Sequence, residues 1–109
     1  MAKVELFEKN LQDTALIFKA LGHPARLAIL QYLAETRTCI SGDISNELPL
    51  SRTTVNQHLK ELKELGVIKG EISGAKVNYC LDTEKINQMK EAINKFLGGI
   101  DVSFYLECC

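Results

Sequence analysis

Most of the reactive chemistry this chain carries sits in six residues: Cys39, Cys80, Cys108 and Cys109, with His23 and His58. Thiolates select soft ions and undergo oxidation and exchange. Imidazoles favour borderline metals such as zinc. Whether the thiols are free depends on compartment. No apolar run approaches the ~20 residues of a membrane span, and the opening MAKVELFEKN lacks a signal-peptide core. The sequence therefore predicts a cytoplasmic protein with no membrane contact, where thiols stay reduced. Four cysteines in that setting read as reactive or metal-binding residues, not as a disulfide framework. Enzymatic chemistry is not expected. There is no Gly-rich phosphate loop and no plausible Ser/His/Asp or Cys/His arrangement.

A second set of side chains points to nucleic acid. In SRTTVNQHLKELKELG, Val55, Leu59, Leu62 and Leu65 form one apolar stripe at helical spacing. The opposite face carries Arg52, Thr53, Asn56, Gln57 and Lys60, a mixture of phosphate-binding and base-reading groups. A face built for solubility would use Glu and Lys more, since Thr and Asn are mediocre helix formers. Here Glu61 and Glu64 appear only in the later turns. Ser51 is placed to cap the helix and Gly66 to end it in a left-handed turn. VIKGEI and KVNYCL then read as two strands joined through Ser73-Gly74-Ala75, with Lys69 and Lys76 flanking the turn. A recognition helix followed by a wing implies DNA binding. The predicted DNA-contacting set is Ser51, Arg52, Thr53, Thr54, Asn56, Gln57, His58, Lys60, Lys69 and Lys76.

The elements that must position these residues fit one domain. The chain has 109 residues, enough for one modest core, and a formal net charge of −1. That charge is unusual for a nucleic-acid binder. Any positive field must be local, and Arg52, Lys60, Lys63, Lys69 and Lys76 supply it. Affinity then needs a second copy, so a dimer is expected. Residues 4–21 carry Phe7, Leu11, Ala15, Phe18 and Leu21 as a helical stripe. Pro24 suits the first position of a second helix, and ARLAILQYLAE, apolar nearly all round, predicts a buried one. Residues 38–40 read as a short β-prone bridge. Gly42 to Leu48 reads as a short helix, separated from the recognition helix by Leu48-Pro49-Leu50 as in a helix-turn-helix. Asp82-Thr83 caps a last helix with Ile86, Met89, Ile93 and Phe96 in register, and Gly98-Gly99 breaks it. The expected fold is mainly α, a winged helix-turn-helix. The helix-turn-helix spans 42–65, the wing 67–82 and a cysteine-bearing tail 98–109.

FKALGHPARLAILQYL, followed by ISNELPLSRTTVNQHLKELKELGVIKGEISGAKVNYCL, resembles the ArsR/SmtB family of bacterial metal-sensing repressors over roughly residues 15–82. Its signatures are A-L-x-H-P-x-R-L-x-I-L and S-x-x-T-V-x-x-H-L-x-x-L-x-x-x-G. The resemblance implies a homodimer on an inverted-repeat operator, released by an inducer. The first and last helices, residues 1–21 and 83–97, would form its interface. Two amphipathic end helices on a complete winged core agree with that.

The resemblance also frames the inducer. One family site binds zinc or cobalt through Asp, His and Glu of the last helix, but DTEKINQMKEAINKFL has no histidine. His58 suits a DNA-backbone or core-edge role, and His23 a helix start. Cys39, in RTCISGDI, matches the first cysteine of the E-L-C-V-C-D-L motif of arsenic-sensing relatives. The second is missing, since Ser41-Gly42 stands there with one residue inserted before Asp43. As(III) and Sb(III) need three thiolates in a pyramid, and Cys39, Cys108 and Cys109 supply that number. The leading expectation is an As(III)- or Sb(III)-responsive repressor with those three ligands. Cys80 reads first as a small buried hydrophobe. The strand at Cys39 would nonetheless pair with the strand of Cys80, which offers Cys39, Cys80 and one tail cysteine as another set. A thiol-redox or reactive-sulfur switch of the same cysteines is the alternative. Relatives that sense sulfur species carry a cysteine near the position of Gln31. Cadmium or lead sensing would normally draw on an N-terminal cysteine, and residues 1–38 contain none.

Overall fold

The computed structural model describes residues 3–42, 44–73 and 76–103. Four helices and a three-stranded antiparallel sheet follow in the order α1 (Lys9–Leu21), α2 (Pro24–Thr36), β1 (Ile40–Ser41), α3 (Arg52–Leu65), β2 (Ile68–Ser73), β3 (Lys76–Leu81) and α4 (Thr83–Gly98). The sheet order is β1-β3-β2, so the second wing strand lies between its hairpin partner and the short strand that precedes α3. A mainly helical winged fold is what the sequence predicts.

Local chemistry fixes most of the boundaries. The Ser51 side chain accepts from the Thr54 amide, Asp82 accepts from the Lys85 amide, and His23 accepts from the Ala25 amide ahead of Pro24. The Ser51 and Asp82 caps each contribute about 1 kcal/mol. Gly66 ends α3 at φ 96°, and its amide returns to the Leu62 and Lys63 carbonyls. Gly70 in β2 faces Tyr79 of β3. A methyl group there would run into the Asn78 carbonyl, at a φ of 130° that only glycine adopts easily.

The core gathers Ile29 and Leu33 of α2, Ile44, Val55, Leu59 and Leu62 of α3, and Val67, Ile68, Ile72 and Tyr79 of the wing. Ile17 of α1 and Met89 of α4 complete it. Burying a side chain of this size contributes about 1.5–3 kcal/mol, so the three α3 residues alone bind the helix firmly to its scaffold.

Three sequence expectations need correction. Gly42 to Leu48 is not a helix: only Ser45–Glu47 makes a 3-10 turn, and Asp43 lies outside the described residues. Leu48 precedes Pro49 and is extended, at φ −134° and ψ 148°, as the proline ring demands of its neighbour. The first helix does not run unbroken from residue 4. Val4–Leu6 forms a separate 3-10 turn and Phe7 is extended, with its carbonyl held by the Gln12 side chain at 2.7 Å. Finally, α2 is buried on one side only; Ala25, Ile29 and Leu33 face the core while Leu27 is exposed.

Candidate nucleic-acid interface and thiol pair

Because Val55, Leu59 and Leu62 are pinned inward, the other face of α3 is fixed toward solvent. Arg52, Thr53, Gln57 and Lys60 are exposed on it, and Asn56 is half-buried at its margin. Ser51 and Thr54 belong to the cap: the Ser51 hydroxyl donates to the Thr54 hydroxyl at 3.1 Å while accepting the Thr54 amide. On the wing, Lys69 is exposed. Its register partner is Cys80, and Lys76 pairs with Ser73 next to the turn. Gly74 and Ala75, the expected turn residues, lie outside the described residues. A cationic and amide-rich helix face beside a β-ribbon has the shape and chemistry that a major groove and its flanking phosphates accept.

His58 points elsewhere. Its Nδ1 accepts from Arg26 Nε at 3.1 Å, and its ring lies 4.4 Å from that of His23. Arg26 Nη1 also donates to the Ala20 carbonyl at 3.0 Å. One guanidinium thus joins the end of α1, the start of α2 and the recognition helix. Desolvation, with the nearby charges of His23 and Arg26, holds the His58 pKa below its ordinary value, against an opposing pull from Glu61. Of the two roles expected for His58, the structure displays the core-edge one.

The sequence reading of Cys80 as a small buried hydrophobe does not hold. Cys39 precedes β1, whose Ile40 and Ser41 pair with Tyr79 and Asn78 of β3. That register brings Cys39 beside Cys80, and the two are joined by a disulfide with Cα atoms 4.3 Å apart. Cys39 is exposed and Cys80 half-buried. The bond spans 41 residues of sequence and links the strand before the helix-turn-helix to the wing. Beside it opens a pocket of about 270 Å³ lined by Leu33, Ala34, Arg37, Leu81 and Thr83 together with both cysteines. Arg37 ends α2 in the left-handed conformation at φ 58°. Cys108 and Cys109, expected to converge on Cys39, lie outside the described residues. Among the described residues, no three of His, Cys, Asp and Glu cluster as metal ligands.

A third surface is apolar. Leu11 and Phe18 of α1, Phe96 and Leu97 of α4, and Phe7 and Ile100 beside them are exposed. Phe18 meets Phe96 edge to face at 6.0 Å, joining the two end helices. No helix among the described residues is long and apolar enough to cross a membrane.

Comparison with known proteins places this geometry. A helix-turn-helix domain family matches residues 21–71, from the end of α1 into β2. A cadmium resistance transcriptional regulatory protein, the CadC homolog of Staphylococcus aureus, is 37 % identical over 91 residues, covering 83 % of this chain and 74 % of its own length. The chain belongs to the ArsR/SmtB family of transcriptional regulators. The repressor SmtB of Mycobacterium tuberculosis is 40 % identical over 65 residues, which are 60 % of this chain and 47 % of that protein. In structure, an ArsR-like transcriptional regulator from Rhodococcus superposes with a TM-score of 0.59 at 22 % identity over 80 % of each chain, which supports the fold. Family membership makes the chain a DNA-binding helix-turn-helix regulator, a role with no catalytic step. It leaves the inducer to this chain's own residues.

Proposed function

We propose that the protein is a homodimeric repressor that binds an inverted-repeat operator and is released when a thiophilic inducer, As(III) or Sb(III), is captured at Cys39. The observation that carries this reading is the adjacency of Cys39 and Cys80 on the seam between β1 and β3. Two sulfurs side by side fit the donor class of a soft ion. A pyramidal ion needs a third thiolate, and Cys108 or Cys109 is the source within the sequence. This set competes with Cys39, Cys108 and Cys109 as ligands. The relative named for cadmium resistance supports a metal inducer in general.

The operator is read by Arg52, Thr53, Asn56 and Gln57, with Thr54 at the cap, while Lys60, Lys69 and Lys76 meet phosphates. The exposed apolar strip of α1 and α4 is the dimer interface. Both heads must reach major grooves one helical turn apart. The seam holds the segment just before α3, so an ion bound there repositions the two recognition helices relative to each other. A coupling of ~2–3 kcal/mol weakens operator binding by about 30- to 150-fold.

Fluorescence anisotropy on the protein's own promoter tests this, with arsenite, antimonite, cadmium, zinc and peroxide titrated separately at fixed salt. Arsenite releases the reduced wild type but not Cys39→Ser, and both bind DNA alike without inducer. Release of Cys39→Ser at wild-type arsenite concentrations sinks the ligand assignment.

The disulfide favours a second reading, a thiol-redox repressor in which oxidation closes Cys39 to Cys80. Release by peroxide, reversed by dithiothreitol and with no arsenite response, selects it.

A further inference from the structure

Val55, Leu59 and Leu62 decide which side of α3 faces the core. Apolar contacts are non-directional, so they fix the depth of the helix better than its angle to its neighbours. Toward the end of α1 the packing opens into a hollow between Leu16 and Ala20 of α1 and Glu61 and Leu65 of α3. Arg26 of α2 lines that hollow and bridges it with two hydrogen bonds. Its Nη1 donates to the Ala20 carbonyl at 3.0 Å. That carbonyl lies in the last turn of α1, where carbonyls lack helical partners and the helix dipole favours a cation. Its Nε donates to His58 Nδ1 at 3.1 Å. A guanidinium only donates, so Nδ1 holds a lone pair and the neutral His58 ring carries its proton on Nε2. The planar fork holds its two bonds at a fixed angle, which an ammonium on a flexible stem does not. His58 adjoins Gln57 and lies two positions from Asn56 and Lys60. The anchored point therefore falls within the reading turns of α3.

We infer that Arg26 is a positioning residue for operator reading: through His58 it holds the recognition helix at the angle to α1 that base contacts require. The inference rests on the reading of α3 as the element that meets base edges. Hydrogen bonds to base edges weaken steeply with misalignment, and sequence is read chiefly through them. Contacts from long lysine side chains to phosphates tolerate a small shift. Loss of the link therefore costs the preference for operator over other DNA and spares DNA binding as such. In a dimer joined through α1 the same angle sets the spacing of the two recognition helices.

The test is fluorescence anisotropy of the reduced full chain on its own promoter fragment and on a scrambled duplex of equal length and composition. Salt is fixed, and the temperature is one at which circular dichroism shows every variant folded. Arg26→Met and His58→Leu each lower the promoter-to-scrambled preference by about tenfold, the worth of about one base-edge pair. Both leave affinity for the scrambled duplex within about threefold. His58→Gln, whose amide oxygen accepts from Arg26, recovers most of what His58→Leu loses, whereas Arg26→Lys recovers little of what Arg26→Met loses. Arg26→Met/His58→Leu loses no more than either change alone, because both cut the same link. A preference unmoved by Arg26→Met, or losses that multiply in the double variant, overturns the inference. So do equal losses on both duplexes, which would make Arg26 a folding residue only. In each of those cases a wild type that prefers its promoter leaves the operator reading standing. A wild type with no such preference overturns both.

Discussion

Two pairs of reactive side chains tie the DNA-binding unit together, and they differ in what a change of state does to them. His23 and His58 stack at the meeting of α2 and α3, with Arg26 donating to His58 and to the end of α1. Cys39 and Cys80 meet where β1 joins the wing. Protonating His58 removes the lone pair that Arg26 uses and brings two cations together, so the histidine pair serves as a fixed joint. The cysteine pair is closed as a disulfide beside the β1–β3 ladder in this structure, and the proposed function requires it to open and take up an ion. A chemical group becomes a switch where the surrounding fold tolerates both of its states.

The largest effect that sharpens this contrast is on stability. Closing a loop of the length between Cys39 and Cys80 stabilises by about 4 kcal/mol in the chain-entropy account. Reduction is expected to lower the urea midpoint accordingly, and Cys80→Ser should match the reduced protein with no further response to reductant. An oxidised and a reduced form of equal stability would show that the seam is not a structural clamp.

Removing the donor from the histidine joint comes next. Arg26→Met keeps the apolar stem but leaves His58 and the Ala20 carbonyl without their partner, at a cost of about 1–3 kcal/mol. Equilibrium unfolding at neutral pH measures it. A cost near zero would mean that the three-way joint of α1, α2 and α3 holds by apolar packing alone.

The smallest effect is in pH. The folded state depresses the His58 pKa, chiefly by desolvation and then by His23 and Arg26, with Glu61 opposing. Its contribution is therefore complete above the ordinary imidazole value of about 6.5 and is lost as pH falls through the lower folded value. Stability of the wild type should drop between about pH 7.5 and about pH 5 by more than that of His58→Gln, whose amide oxygen can accept from Arg26 without titrating. Parallel pH profiles for the two proteins would assign the acid sensitivity elsewhere.

How much of this was legible in the sequence follows from how local each cause is. Ser51, Gly66 and Asp82 announce helix ends because a cap needs only residues three or four positions away. The polar face of α3 was readable because Val55, Leu59 and Leu62 leave it no other orientation. The apparent helix from Gly42 to Leu48 failed because Gly42 sits at φ 91° and Ser45 and Asn46 are weak helix formers, while Pro49 holds Leu48 extended, leaving room for a single 3-10 turn. Leu27 shows the limit of reading burial from hydropathy, since single apolar residues are common on a folded surface. Cys80 was the largest miss. Its neighbour is set by the register of β1 on β3, a contact across some forty positions that no local pattern encodes, although the expected pairing of those strands pointed to it.

The seam's control of DNA is best tested by one comparison: operator affinity of the fully reduced protein with and without one equivalent of arsenite per protomer, in wild type and in Cys80→Ser. The wild type should lose about 30-fold or more in affinity, whereas Cys80→Ser should change little. Equal losses in both would show that Cys80 is a bystander and that any response runs through Cys39 and the tail alone.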